Sequence, residues 1–191
     1  MSETKSAVDT VNLPKCRSCG EVISHTNMFD VRKQDEYNIS GFCDVCFEHS
    51  CFTPLIYEEI ENELESDDIL KMVVTIDGVM IGGGYFRKLV DKGDELCDYD
   101  VFFTDTAAIE KVKFHLETIG YKQVFACPKG ELFTYKKEGS VKVQLVTKFI
   151  YSGLVEMINS FDITACCAGW DGKTFECNRR FIFDVKSKVI N

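Results

Sequence analysis

Residues 79–87 read Val-Met-Ile-Gly-Gly-Gly-Tyr-Phe-Arg, and residues 97–103 read Cys-Asp-Tyr-Asp-Val-Phe-Phe. Val79, Met80 and Ile81 form a short apolar run that predicts a buried strand. It breaks into Gly82, Gly83 and Gly84, and Tyr85 to Val90 then carries a helical pattern. Glycines at a strand-to-helix turn let the backbone approach a bound group, and the first amides of the helix are free to meet phosphate. Thirteen residues separate Gly84 from Asp98. On a strand, positions two apart face the same way, so Asp98 and Asp100 project together while Tyr99 and Val101 point to the other side. Adjacent carboxylates repel each other, and a divalent cation is the usual reason to keep them together.

Each half also has an ordinary reading, the glycines as a plain turn and Asp-x-Asp as a solvated strand end. In this order and spacing the two halves resemble the signature of the nucleotidyltransferase superfamily that includes DNA polymerase β. That signature is a hydrophobic residue, Gly, Gly or Ser, a short spacer, then Asp-x-Asp/Glu flanked by hydrophobics. The resemblance spans roughly residues 70–177 and implies an α+β domain with a mixed sheet. It implies Mg²⁺ or Mn²⁺ on Asp98 and Asp100, and a triphosphate against Gly83 and Gly84. Arg87 resembles the basic residue of Gly-Gly-x-x-Arg in tRNA-tail-adding relatives, although the Asp that follows there is Lys88 here. Val143-Gln144-Leu145-Val146 and Phe161-Asp162-Ile163-Thr164 resemble a group of viral and phage members, some described as tRNA-nucleotidyltransferase-like.

The family places a third carboxylate on a neighbouring strand. The matching strand here, Val141–Val146, has Gln144 at its centre, and an amide carries no charge for the metal. Asp162, read as opening the next strand, is the candidate replacement; the alternative is that it caps a strand end. The replacement reading puts its carboxylate within one ion's reach of Asp98 and Asp100. Lys136, Lys137, Lys142 and Lys148 form either a basic strip for an acceptor strand or scattered surface charge.

A second motif precedes this domain. Cys16-Arg17-Ser18-Cys19 and Cys43-Asp44-Val45-Cys46 are Cys-x2-Cys pairs with 23 residues between Cys19 and Cys43. Each two-residue loop offers two thiolates to one ion, and two loops complete a tetrahedral four-cysteine site for structural Zn²⁺. A module of about 40 residues has too small a core to hold itself together, so metal binding would supply much of its folding free energy. A redox dithiol is the alternative, but the surrounding strand and helix pattern for it is missing. His25, His49 and Cys51 are possible substitute ligands that read better as surface or filler. Cys97, Cys127, Cys166, Cys167 and Cys177 show no ligand spacing and read as small buried hydrophobes.

Composition bounds the rest. The chain has 191 residues, 45% of them hydrophobic, with fifteen Phe, three Pro and ten Cys. That suits one domain, or a small module plus a domain. No run approaches the ~20 apolar residues of a membrane span, and the polar start is no signal peptide. These features predict a soluble cytoplasmic protein, in the host cytoplasm if viral, with no membrane partner. The net charge of −9 is uneven: −3 over residues 1–52, −7 over residues 53–77 and +1 over residues 78–191. The domain carrying Asp98 and Asp100 is thus near neutral, which argues against strong non-specific nucleic-acid binding.

In chain order, residues 1–12 read as a disordered tail, 13–52 as the zinc module, 53–68 as an acidic connecting helix and 69–191 as the nucleotidyltransferase-like domain. Thr53 and Pro54 read as the helix start, cap and first turn. Ile56, Ile60 and Leu64 mark its apolar face, as in the helix that leaves a treble-clef knuckle. Ile69–Ile76 is an ambiguous apolar run. Ile109, Val112, Leu116 and Ile119 mark a helix ending at Gly120. Strands are expected at Tyr121–Ala126, Leu132–Lys136 and Val141–Val146, a short helix at Tyr151–Asn159, and a strand at Phe161–Cys167. A hairpin through Asp171-Gly172 reaches Lys173–Cys177, and residues 181–191 read as a last strand.

Three functions follow from these readings. The first is a metal-dependent nucleotidyltransferase moving NMP from an NTP to an RNA or protein acceptor. The second is a catalytically silent member that binds protein or nucleic acid. The third is a structural component of a larger assembly.

Overall fold

A computed structural model describes residues 15–22, 42–92 and 98–188. The chain divides into two compact units, residues 1–47 and 48–191.

In the first unit, Lys15 and Val22 pair across a tight turn. The Cys16 amide donates to the Glu21 carbonyl, and the Gly20 amide donates back to the Cys16 carbonyl. Gly20 takes the left-handed conformation, φ 73°, that such a knuckle requires. The second cysteine pair opens a helix, α1 (Asp44–Leu64). His25 lies outside the described residues.

That start corrects the expectation at Thr53. Pro54 stands inside α1 and cannot donate to the carbonyl one turn back. Thr53 lies within the helix rather than capping it, and its hydroxyl donates to the His49 carbonyl, 2.7 Å away. Burial overrides the break. Ile56 and Ile60 are fully buried and Phe52 packs against the same core, with each aliphatic side chain contributing about 1.5–3 kcal/mol.

The second unit is built on a seven-stranded mixed sheet in the order β3-β4-β5-β2-β1-β6-β7. Its strands are β1 (Val79–Gly82), β2 (Asp98–Phe103), β3 (Lys122–Ala126), β4 (Leu132–Lys136), β5 (Lys142–Ile150), β6 (Ala168–Trp170) and β7 (Phe175–Cys177). β2 and β5 run parallel, and the other neighbours run antiparallel.

The ambiguous run at Ile69 is a helix, α2 (Asp68–Thr75), buried through Ile69, Leu70, Met72 and Val73. Asp67 caps it by accepting from the Ile69 and Leu70 amides at 2.8 and 3.0 Å. Gly83–Phe86 is a 3₁₀ turn that passes directly into α3 (Arg87–Val90). α4 (Thr106–Thr118), capped by Asp105, buries Ala108, Val112 and Leu116.

Two apolar layers flank the sheet. Tyr99, Val101, Phe103, Tyr135, Val143 and Leu145 join α1, α2 and α4 in the larger core. The alternate residues of the central strands face the other way. There Met80 and Phe102 pack with Leu154, Met157 and Ile158 of α5 (Leu154–Asn159). α5 sits so close that a Cβ on Gly169 would lie 2.5 Å from Met157 Cε and 2.8 Å from a Leu154 methyl.

Two further expectations are corrected. Phe161–Cys167 is no strand: it is a bend followed by a 3₁₀ turn, Thr164–Cys166, and pairing begins only at Ala168. Residues 181–187 form a helix, α6 (Phe181–Ser187), not a strand. Its alternating apolar look hides a polar anchor: the buried Asp184 carboxylate accepts from Arg180 Nη2 at 2.9 Å and from the Thr164 hydroxyl. Arg180 stands one helical turn before Asp184, a pairing only a helix brings together.

Candidate functional site

The site begins at the end of β1. Gly82 is extended and pairs with Asp100 on β2. Gly83 turns the chain with φ 78°, a conformation L side chains rarely adopt. Its Cα faces the Asp100 carboxylate, because a Cβ there would sit 3.0 Å from Oδ2. Gly84 has open space on its Cβ side and starts the turn that leads to the half-buried Arg87. Backbone angle thus favours glycine at 83, while a Cβ at 82 would crowd Met157 Cε at 2.9 Å and the Phe161 ring at 3.0 Å.

Asp98 and Asp100 share the face of β2 opposite to the buried Tyr99 and Val101. On the parallel strand β5, Lys142 stands level with Asp98, and Gln144 stands level with Asp100. Gln144 Nε2 donates to Asp98 Oδ2 at 2.6 Å. Lys142 Nζ donates to the same oxygen at 3.0 Å and lies 2.9 Å from Oδ1. Oδ1 is buried and is held by that ammonium as an ion pair. Asp100 is pushed up to about 6, first by burial and then by the Asp98 charge, against a downward pull from Lys142. Two carboxylates on one strand face, one of them destabilised and set against a glycine turn, fit a divalent cation.

Asp162 is not part of this cluster. It sits exposed in the bend before the 3₁₀ turn, rather than on a strand beside Asp98–Val101. The chain leaves β5 through α5 and returns on the far side of β1, so the strand nearest Asp162 is β6 and never borders β2. The basic strip is also divided. Lys142 is committed to Asp98, while Lys137 and Lys148 lie over the rings of Tyr121 and Phe149.

A polar lattice behind the turn escaped the sequence reading. The Tyr85 hydroxyl donates to Glu63 Oε2 at 2.9 Å, and Lys88 Nζ donates to the same oxygen at 2.8 Å. Tyr99 donates to Asp67 and stacks on Tyr85 with ring centroids 5.1 Å apart. Burial and these carboxylates hold both phenols protonated. The acidic helix therefore uses Glu63 to hold the glycine turn in place.

In the first unit, Cys16, Cys19, Cys43 and Cys46 bring their sulfurs within 4.8 Å of one another. Cys19 and Cys43 Sγ are 3.9 Å apart, close to the edge of ~3.8 Å that a tetrahedron with bonds of about 2.3 Å would have. The Cys43 amide donates to Cys16 Sγ at 3.2 Å. Burial alone would raise the Cys16 thiol, but the amides of Cys43, Cys19 and Ser18 bring it down to about 6. Burial pushes Cys43 up to about 12 and raises Cys19, so Cys16 is the thiol the fold itself favours as thiolate, and the four sulfurs together can hold a metal ion. His49 and Cys51 stay outside the cluster. Of the cysteines read as buried filler, Cys167 is buried and Cys127, Cys166 and Cys177 are partly so, while Cys97 lies outside the described residues.

The fold has relatives among solved structures. A CCA-adding enzyme in complex with ATP is similar with a TM-score of 0.55 at 16% identity, over 73% of this chain and 36% of that one. A tRNA-processing enzyme in an apo form reaches 0.50 at 24% identity, over 68% and 36%. The Thermotoga maritima CCA-adding enzyme complexed with tRNA reaches 0.50 at 16% identity, over 64% and 31%. This chain therefore spans about a third of the length of those enzymes, and the likeness establishes the fold. No curated protein matches the sequence. No described helix is long and apolar enough to cross a membrane. A family model, Gabija anti-defense 2 family protein, matches residues 51–188, which contain every element of the sheet. By that match the chain belongs to the Gabija anti-defense 2 family.

Proposed function

We propose that the protein is a metal-dependent nucleotidyltransferase that transfers NMP from an NTP to an RNA end or a protein, in the service of the anti-defense role its family name carries. The observation that supports this most is the pairing of Gly83 with Asp100. It sets the glycine turn against one of the two carboxylates that share a strand face, which supports a shared site for nucleotide and metal. The solved relatives with ATP and with tRNA are in keeping with an NTP and an RNA partner. An anti-defense role also fits a viral or phage origin and action in the host cytoplasm.

In the reaction, an acceptor hydroxyl oxygen bonds to the α-phosphorus. The bond from that phosphorus to the bridging oxygen breaks, pyrophosphate leaves, and the hydroxyl proton passes to water. Asp98 and Asp100 would hold Mg²⁺ or Mn²⁺, which neutralises charge on the triphosphate. Gly84, with open space on its Cβ side, leaves room for the phosphates beside the Gly83 turn, and Arg87 supplies a cation three residues further on. The four cysteines would hold a structural Zn²⁺, and a closed four-thiolate site leaves no position for substrate. Calorimetry tests the pocket: NTP should bind with Mg²⁺ and weaken at least ~10-fold, about 1.4 kcal/mol, in Asp98→Asn. Equal affinity with and without Mg²⁺ would refute it.

One observation favours the second reading, a silent binding protein of the same fold. Gln144 supplies an amide where the resembled nucleotidyltransferase superfamily has a third carboxylate, and Asp162 lies in a bend rather than on a strand beside β2. In that case nucleotide would bind without turnover.

A further inference from the structure

We infer, building on the nucleotidyltransferase reading, that this site works with one divalent cation, and that Lys142 and Gln144 together take the place of the second. Two-ion sites of this reaction hold their metals about 3.5–4 Å apart, and the carboxylates between them carry enough negative charge to keep both. Here the cluster contains two carboxylates and one ammonium, a net charge of −1. Lys142 Nζ stands 2.9 and 3.0 Å from the two oxygens of Asp98. An ammonium at that distance occupies the space a bridging ion would need on the β5 side of Asp98, and repels it.

Gln144 closes the same side. Its Nε2 donates to Asp98 Oδ2 at 2.6 Å, so the amide turns its donor, not its carbonyl, towards the carboxylate. A second ion there would have to displace both contacts and would meet a neutral ligand in exchange. The other side remains suited to one ion: the Asp100 carboxylate lies against the bare Cα of Gly83. Lys142 is thus a positioning residue that fixes Asp98 and supplies fixed positive charge. Strand alternation puts Lys142 and Gln144 on one face of β5, so the pair acts as a unit.

The test counts ions by electron paramagnetic resonance of Mn²⁺ bound to the full-length protein, saturated with α,β-methylene ATP and with Asp100→Asn as background. The expected result is one Mn²⁺ per bound nucleotide with the spectrum of an isolated ion. In the double variant Lys142→Ala/Gln144→Asp a second Mn²⁺ should enter and the spectrum should become that of a spin-coupled pair. A coupled pair in the unmodified protein would overturn this inference and leave the nucleotidyltransferase reading intact. A double variant that binds nucleotide but stays at one ion would also overturn it. No nucleotide-dependent Mn²⁺ above the Asp100→Asn background would overturn both. Thermal melting of the variants confirms that each count is made on folded protein.

Discussion

Gly83 and Asp100 meet so closely that a single added carbon on the glycine would stand 3.0 Å from the carboxylate oxygen. The turn and the Asp-x-Asp strand are therefore one structure, fixed by the antiparallel pairing of Gly82 with Asp100.

Neighbouring glycines should respond differently to the same substitution. Gly83→Ala forces an L residue to φ 78° and crowds Asp100, so it should cost roughly 1–3 kcal/mol of stability and weaken Mg²⁺-dependent NTP binding. Gly84→Ala meets open space and should stay within about 0.5 kcal/mol of the parent protein. Denaturant melts of the two variants check this, and equal losses would contradict the geometry.

The Asp100 carboxyl makes a pH prediction. Its pKa is raised from 3.8 to about 6 in the fold, first by burial and next by Asp98. The native state therefore takes up this proton more readily than the unfolded chain. Its ionisation costs stability above about pH 6, and the cost disappears as pH falls below about 4. Without metal, Asp100→Asn should be more stable than the parent at pH 8, by something on the order of 1–3 kcal/mol, and equal to it at pH 3.5. Adding Mg²⁺ at pH 8 should stabilise the parent and leave the variant unchanged. Melting curves at the two pH values decide the matter; a variant less stable than the parent at pH 8 would be the wrong sign.

Metal content tests the cysteine cluster. One zinc per chain is expected by elemental analysis of the purified protein, falling to none in Cys43→Ser/Cys46→Ser. Chelation should remove the ion and leave the circular dichroism of the unit from residue 48 onward largely in place, because its core is built from its own residues. Zinc that survives loss of both cysteines would exclude this ligand set.

Packing of α5 on the sheet predicts a purely structural defect. Gly169→Ala would place a methyl 2.5 Å from Met157 Cε and 3.1 Å from the Ile81 carbonyl. Overpacking of this kind costs typically about 1–3 kcal/mol. Met157→Ala in the same chain should recover part of the loss, which a double-mutant cycle measures.

What could be read beforehand was local. The apolar run, the glycine turn and the Asp-x-Asp strand each declare themselves within a few residues, and strand alternation correctly put both carboxylates on one face. The Cys-x2-Cys spacing likewise needed no tertiary information. Errors arose where packing outweighed a local signal. Pro54 marks a helix start by its chemistry, yet Phe52, Ile56 and Ile60 carry α1 straight through it. Phe161-Asp162-Ile163 has the alternation of a strand, but its backbone bends before a 3₁₀ turn, which removes Asp162 from the sheet. From the sequence Lys142 reads as one of four lysines that form a basic strip or scattered surface charge, although it lies two residues before Gln144. Its role depends on the parallel pairing with β2, a relation across more than forty residues that no local pattern encodes.

Transfer itself is the most direct measure of the central claim. The purified protein should be incubated with each α-labelled NTP in turn, with Mg²⁺ or Mn²⁺ and a mixture of RNA and protein acceptors. The account predicts that label enters one acceptor class, with release of pyrophosphate, and that Asp98→Asn and Asp100→Asn abolish it without unfolding the protein. Binding of Mg²⁺ and NTP with no label transferred to any acceptor would contradict it and establish the silent binding protein instead.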